Sequence, residues 1–272
     1  MRVTMIGTGY VGLVSGACIA DFGHQVTCVD KDSTKTSTLN AGEIPIFEPG
    51  LGDIVRSNLE EGRLAFTTAL GESVREADAV FIAVGTPSRR GDGHADLSHV
   101  YAAAREIATA LEGFTIVITK STVPVGTGDE VERIIRELRH DAGFAVVSNP
   151  EFLREGAAIH NFKHPDRIVI GTEDEHAKKV AAEIYRPLYL NQAPILYTSR
   201  PGHQDHLHQR NSRSLRARRC GRAGSCVRDR VRQSNWAHGP FGALVYEPSS
   251  KVQLFQQQWV LGDITPDPWG PI

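Results

Sequence analysis

Cysteine is scarce in this chain: 4 in 272 residues. The four are unevenly scattered, which excludes a disulfide framework and a zinc pattern and leads us to expect a reducing, cytoplasmic setting. Charge of one sign is also lacking. The 30 Lys+Arg nearly balance the 32 Asp+Glu, so the chain as a whole has no electrostatic pull toward nucleic acid or a membrane surface. Nowhere does an apolar run approach the roughly 20 residues of a membrane span. The opening MRVTMIGTGYVG enters a strand pattern at once, without the charged-then-apolar layout of a signal peptide.

The near-zero balance conceals a seam. From Arg200 onward 11 Lys+Arg, ten of them Arg, face 5 acidic residues, against 19 and 27 before it. Apolar periodicity stops at the same place, between Thr198 and Pro201. We therefore expect an organised domain over 1–199 and an Arg-rich tail over 200–272 that is poorly structured or loosely packed.

Within the first 199 residues, strands apolar throughout are expected at Arg2–Ile6, Gln25–Val29, Asp78–Val84, Phe114–Thr119, Ala145–Val147, Arg167–Ile170 and Ile195–Tyr197. Amphipathic helices alternate with them at Val11–Phe22, Leu51–Glu61, Leu97–Leu111, Gly126–Arg139 and Glu175–Tyr185. Such alternation predicts an α/β fold, a Rossmann-type doubly wound, mostly parallel sheet covered on both faces. Gly7-Thr8-Gly9-Tyr10-Val11-Gly12 falls between the first strand and the first helix. The first glycine permits a tight turn, the second lets backbone approach a pyrophosphate, and the third allows close helix–strand packing. Asp30 closes the second strand near the ~20-residue offset at which a carboxylate accepts from a ribose 2′-OH. A carboxylate there repels a 2′-phosphate, so the expected cofactor is NAD rather than NADP. Lys31 and Lys35 lie near enough to take part, or are simply solvated. Gly85-Thr86-Pro87 follows a further strand at the sheet edge where ligands bind, though Gly-x-Pro is also an ordinary turn.

Two polar loops end later strands: KSTVPVGT (120–127) and SNPEFLREG (148–156). In the second, Asn149 is placed to cap a helical turn, Pro150 to start it and Gly156 to end it. Glu151 and Glu155 would then stand i and i+4 on one face. Neighbouring carboxylates raise each other's pKa and suit general acid–base work; an exposed acidic helix start favoured by the dipole fits the spacing equally.

Taken together, MIGTGYVGLVSG, CVDKD, IPIFEPGL, VGTPS, KSTVPVGT and NPEFLREG followed by HPDRIVIG resemble the nucleotide-sugar dehydrogenase family, in its order and spacing, from Met1 to about Ser199. The resemblance implies a four-electron oxidation of a UDP-sugar 6-hydroxymethyl to a carboxylate with two NAD. The intermediates are held on a cysteine as a thiohemiacetal and then a thioester, so the aldehyde never escapes. It implies NAD contacts at Gly7, Gly9, Tyr10, Val11, Gly12, Asp30, Lys35, Thr86 and Thr122. Thr122 would hydrogen-bond the catalytic water or base, Glu151 would assist thioester hydrolysis, and Glu155 would act at the substrate or water position. Phe152, Leu153 and Arg154, with the two glutamates, would line the UDP-sugar site.

The family's later segments are not in this sequence: neither the linking helix, with its Lys and Asn and much of the dimer interface, nor GGSCFPKD with its nucleophile. Cys226 in AGSCVRDR lacks the Pro and Lys that should follow, and its fourth residue on is Arg230. Cys18 and Cys28 read as small core residues. Family sequence written in plausible codons and read two nucleotides out of step yields Pro-Gly-His-Gln and then a close match to Asp205–Arg216. A deletion with a shifted frame near Arg200 is therefore expected, and sequencing the coding DNA tests it. The same origin accounts for His203, His206, His208 and the arginines without a metal site or a nucleic-acid arm. The expectation is a family dehydrogenase that retains NAD binding without turnover, with no metal, nucleic-acid or membrane partner; the alternative is a non-catalytic NAD-binding module.

Overall fold

The computed structural model describes residues 1–88, 95–190 and 193–199, all within one compact unit. The Arg-rich stretch from 200, with Cys226 and its histidines, lies outside the described residues, as does His94.

Eight strands form one sheet. They are β1 (Arg2–Ile6), β2 (Gln25–Val29), β3 (Leu64–Thr67), β4 (Ala79–Ile82), β5 (Phe114–Thr119), β6 (Gly143–Ser148), β7 (Ile168–Gly171) and β8 (Ile195–Thr198). Their spatial order is β3-β2-β1-β4-β5-β6-β7-β8. All neighbours are parallel except β6 and β7, which run antiparallel at Ser148 and Gly171; β7 and β8 pair in parallel again. The winding direction reverses between β1 and β4, because β1 pairs with β2 on one side and β4 on the other. A crevice opens outside the carboxyl ends of the strands at such a reversal, and ligands bind there in open α/β sheets.

Nine helices are described: α1 (Tyr10–Asp21), α2 (Ser33–Asn40), α3 (Leu51–Glu60), α4 (Leu70–Arg75), α5 (Ser98–Ala110), α6 (Thr127–Leu138), α7 (Ala158–Lys163), α8 (Glu175–Ile184) and α9 (Arg186–Leu190). They cover both faces and build two cores. One joins α1 to β1, β2 and the region of Phe162 and Tyr185; the other packs Val100, Ile107, Val131 and Ile135 on the opposite face. Helix α1 is buried continuously from Gly12 to Ala20, as a helix apolar all round must be. Helix α6 is amphipathic: Val131, Ile134 and Ile135 face inward, and Arg133 pairs with Glu130 and Glu137 outside.

Five of the described elements lie outside those expected from the sequence: α2, β3, α4, α7 and α9. Helix α2 (STKTSTLN) buries only Thr36 and Leu39. It starts because the Asp32 carboxylate accepts from the amides of Thr34 (2.9 Å) and Lys35 (3.1 Å), an N-cap that satisfies orphan donors. Strand β3 is four residues long, and α7 six.

The sequence expectation is corrected at 149–156. Residues 150–154 are irregular, not a helical turn, and Glu151 and Glu155 share no helix face. Asn149 does not cap because its side-chain oxygen is taken elsewhere: Oδ1 accepts from Lys120 Nζ (3.2 Å) and the Tyr185 hydroxyl (2.5 Å), while Nδ2 donates to the Val169 carbonyl at 2.8 Å, tying the end of β6 to β7. Gly156 does take the left-handed conformation, with φ 81°.

Candidate functional site

The glycine turn leaves β1 at the winding reversal. Gly7 has φ 99°, and a Cβ on it would sit 2.7 Å from the Ala83 carbonyl oxygen. A Cβ on Gly12 would lie 1.9 Å from the Gly7 oxygen, so α1 packs against its own entry turn as the sequence requires. Gly9 is different. A Cβ there meets nothing within 4 Å, which leaves open space over the backbone where a phosphate would come. Gly9 is also the N-cap of α1 and makes no side-chain cap bond. The amides of Tyr10 and Val11 open the helix, where N–H groups have no intrahelical acceptor and the dipole favours an anion.

Asp30 stands on this turn. Its Oδ2 accepts from the Thr8 amide (3.0 Å), the Thr8 hydroxyl (2.5 Å) and Lys35 Nζ (3.0 Å), while Oδ1 accepts from the Asp32 amide (3.2 Å). Burial pushes the carboxyl up, but these donors outweigh it and hold the pKa down at about 2. Asp30 is therefore an anion throughout the neutral range, prepared to accept from a diol. Lys35 belongs to this ion pair, whereas Lys31 reaches across to Glu106 on the surface at 2.6 Å. The residues present fit a dinucleotide: a bare glycine, helix-start amides with no intrahelical acceptor and a fixed carboxylate.

The later strand ends meet at the same edge. The Thr86 hydroxyl donates to the Thr122 carbonyl at 3.1 Å. The Thr122 hydroxyl donates to Glu151 Oε1 at 3.4 Å. The second Glu151 oxygen is shut from solvent and has no hydrogen-bond partner among the described residues. Burial pushes the Glu151 carboxyl above the usual carboxylate range, against the pull of the Lys120 cation. Glu155, by contrast, is exposed. Phe152 and Arg154 are exposed, Leu153 leans on the core, and Arg154 is held to α7 through the Asn161 side chain at 3.2 and 3.3 Å. Thr86, Thr122 and Glu151 thus come together, while Glu155 is not brought beside Glu151.

Three residues here escaped the sequence reading. Lys120, only 3% exposed, donates to Asn149 Oδ1 (3.2 Å) and the Tyr185 hydroxyl (3.4 Å). Its ammonium also lies over the Phe162 and Tyr185 rings, 5.5 and 5.9 Å from their centroids. Loss of water lowers it to about 8. Tyr185 donates to Asn149 Oδ1 at 2.5 Å. The signal for Lys120 was a lysine directly after six strand residues, too far in to reach solvent; Tyr185 gave none. The third, Glu48 of IPIFEPGL, is buried behind Tyr10. Cys18 and Cys28 are fully buried, and burial raises both thiols to about 12. They are core residues, unsuited to nucleophilic work.

Sheet order, glycine turn and acidic strand end together define a dinucleotide-binding domain of the Rossmann type. The chain belongs to the UDP-glucose/GDP-mannose dehydrogenase family: residues 1–189 match the family's NAD-binding domain. It is 69% identical over 202 residues to the UDP-glucose 6-dehydrogenase of Rhizobium meliloti, covering 74% of this chain and 46% of that protein. To the Pseudomonas aeruginosa UDP-glucose 6-dehydrogenase it is 47% identical over 204 residues, 74% of this chain and 45% of that one. Among solved structures, GDP-mannose dehydrogenase from Pseudomonas aeruginosa superposes with a TM-score of 0.71 at 35% identity, over 80% of this chain and 50% of that one. A UDP-glucose dehydrogenase from Pyrobaculum islandicum gives 0.70 at 39%, over 78% and 49%. The chain thus spans about half the length of the relatives it matches. None of the helices among the described residues is long and apolar enough to cross a membrane.

Proposed function

We propose that this chain binds NAD on the Gly7–Gly12 turn and carries part of a UDP-glucose 6-dehydrogenase site that, as its 272 residues stand, does not turn over. The observation that carries the reading is the Asp30 carboxylate lying on the glycine turn, bonded to both the amide and the hydroxyl of Thr8. NAD, when bound, supplies the hydride acceptor. The chain's own residues do the rest. The amides of Tyr10 and Val11 face the pyrophosphate over bare Gly9, Asp30 accepts from the ribose diol, and Thr86 and Thr122 border the nicotinamide side.

In this reading Glu151 holds or takes a proton at Oε2, and the Thr122 hydroxyl orients the carboxylate through Oε1. Phe152, Leu153 and Arg154 line the sugar-nucleotide approach, and Glu155 reaches it from the exposed side of the loop. We assign the domain to 1–199 and treat 200–272 as a stretch without family sequence. In this reading it supplies neither the nucleophile nor the Lys/Asn pair that the resemblance calls for.

Titrating the full chain with NAD by calorimetry, then adding UDP-glucose and following the absorbance of reduced nicotinamide, tests this. Saturable NAD binding without turnover is the expected result. Turnover overturns the assignment of an incomplete site, and no association with NAD overturns the reading altogether.

A further inference from the structure

The segment IPIFEPGL joins α2 to α3, and its Glu48 is 7% exposed and holds four donors. The Tyr10 hydroxyl donates to Oε2. The Gly156 amide donates to the same oxygen at 2.9 Å, and Oε1 accepts from the amides of Ala158 (2.8 Å) and Ile159 (3.4 Å). One carboxylate therefore bridges the first residue of α1 and the start of α7. Helix α7 has no cap of its own: Ala157 precedes it and makes no side-chain cap bond. Asn161, on α7, in turn holds both the amide and the guanidinium of Arg154.

We propose that Glu48 is a positioning residue that couples the dinucleotide turn to the 151–156 loop, so that occupancy of the turn is transmitted through Tyr10 to the placement of Arg154 and Glu155. This rests on the turn binding NAD, as argued above. The route is short and each step is a hydrogen bond: Tyr10 at the helix start, Glu48, the Gly156–Ile159 amides, then Asn161 and Arg154. The carboxylate has no slack. Burial pushes Glu48 up, but its donors, Tyr10 first, outweigh that and hold it below the ordinary range, so it stays anionic and all four bonds persist at neutral pH. A movement of Tyr10 when the adjacent amides take a pyrophosphate must then either drag Glu48 or break a charge-assisted bond.

Hydrogen–deuterium exchange on the full chain, with and without saturating NAD, tests the coupling at the amides of 156–159. In the unsubstituted protein NAD should slow their exchange about fivefold or more, the low end of an ordinary coupling between sites. Tyr10→Phe removes only the hydroxyl and leaves the α7 cap intact. It should keep the NAD-free exchange rates but reduce the response at saturation below about twofold. Glu48→Gln, which puts a donor where an acceptor is needed, should lose both resting protection and response. If Tyr10→Phe responds like the unsubstituted chain, Glu48 is merely a cap and the proposal fails. NAD binding that leaves 156–159 unchanged in the unsubstituted protein also overturns it, while leaving the cofactor reading intact. Absence of NAD binding removes both together.

Discussion

Replacing Lys120 with methionine is expected to stabilise the folded chain at neutral pH. The ammonium sits 3% exposed between β5, the end of β6 and the rings of Phe162 and Tyr185. Desolvation is the largest influence on it, and the cation attracted to Glu151 recovers only part of the loss, so its pKa falls from 10.5 to about 8. Each tenfold drop in proton affinity is worth ~1.4 kcal/mol, which makes the penalty about 3 kcal/mol at pH 7. The folded state holds this proton more weakly than the unfolded state, so the penalty is complete below pH 8. It fades as pH rises from 8 to 10.5 and is gone only above 10.5, where both states are neutral. Methionine fills the same length without the charge; Asn149 Oδ1 keeps the Tyr185 hydroxyl at 2.5 Å, and Glu151, which loses the cation opposing its burial, is pushed further toward its neutral form. After allowing for the two lost amine bonds, the gain should be about 1–3 kcal/mol. Urea unfolding of both proteins at pH 7 and pH 10.5 measures it: the midpoint rises for K120M at pH 7, and most of the advantage is gone at pH 10.5. A variant less stable by about 1 kcal/mol or more at pH 7 would falsify the claim that the buried charge is a net burden. A burden of this size is of the kind sites retain for chemistry rather than for folding.

Asp30→Asn should cost about 1–2 kcal/mol at pH 7, once partial solvent screening is allowed for. The folded carboxyl titrates near 2 instead of 3.8; its contribution is therefore present above pH 4 and vanishes as pH falls through 2, which unfolding curves at pH 7 and pH 2 would register. The same variant should bind NAD about tenfold more weakly, the value of a charge-assisted bond, and discriminate less against NADP; unchanged discrimination in competition binding would count against Asp30 as the ribose acceptor. Gly12→Ala and Gly9→Ala should separate packing from binding. The first forces a Cβ to 1.9 Å from the Gly7 oxygen and should cost about 3 kcal/mol or more. The second, at φ −68° with open space around it, should melt within a degree or so of the unsubstituted chain, since exposed substitutions stay within about 0.5 kcal/mol. It should nonetheless lose at least about tenfold in NAD affinity by calorimetry, because a methyl group then stands where the backbone must be approached.

Local chemistry made the dinucleotide turn legible before any fold was known. Gly7, Gly9 and Gly12 are spaced as a strand–turn–helix junction requires, and Asp30 ends the next buried strand; both constraints act over a few residues of chain. The central strands were equally plain, since a sheet covered on both faces needs continuous apolar runs such as AVFI and FTIVIT. Tertiary structure decided what depends on distant partners. Asn149 was a plausible cap by sequence, but Lys120, Tyr185 and Val169, from three other parts of the chain, claim its side chain and pull 150–154 out of a helix. Glu48 looked like one acid in a loop. Its four donors come from residues 38 to 111 positions away, and no periodicity encodes a carboxylate that satisfies amides across such a separation. Sequence determined the backbone geometry that an anion needs, because turn and cap preferences are local; only the packed fold set which buried charges stand beside it, because burial and hydrogen-bond partners exist only once distant segments meet.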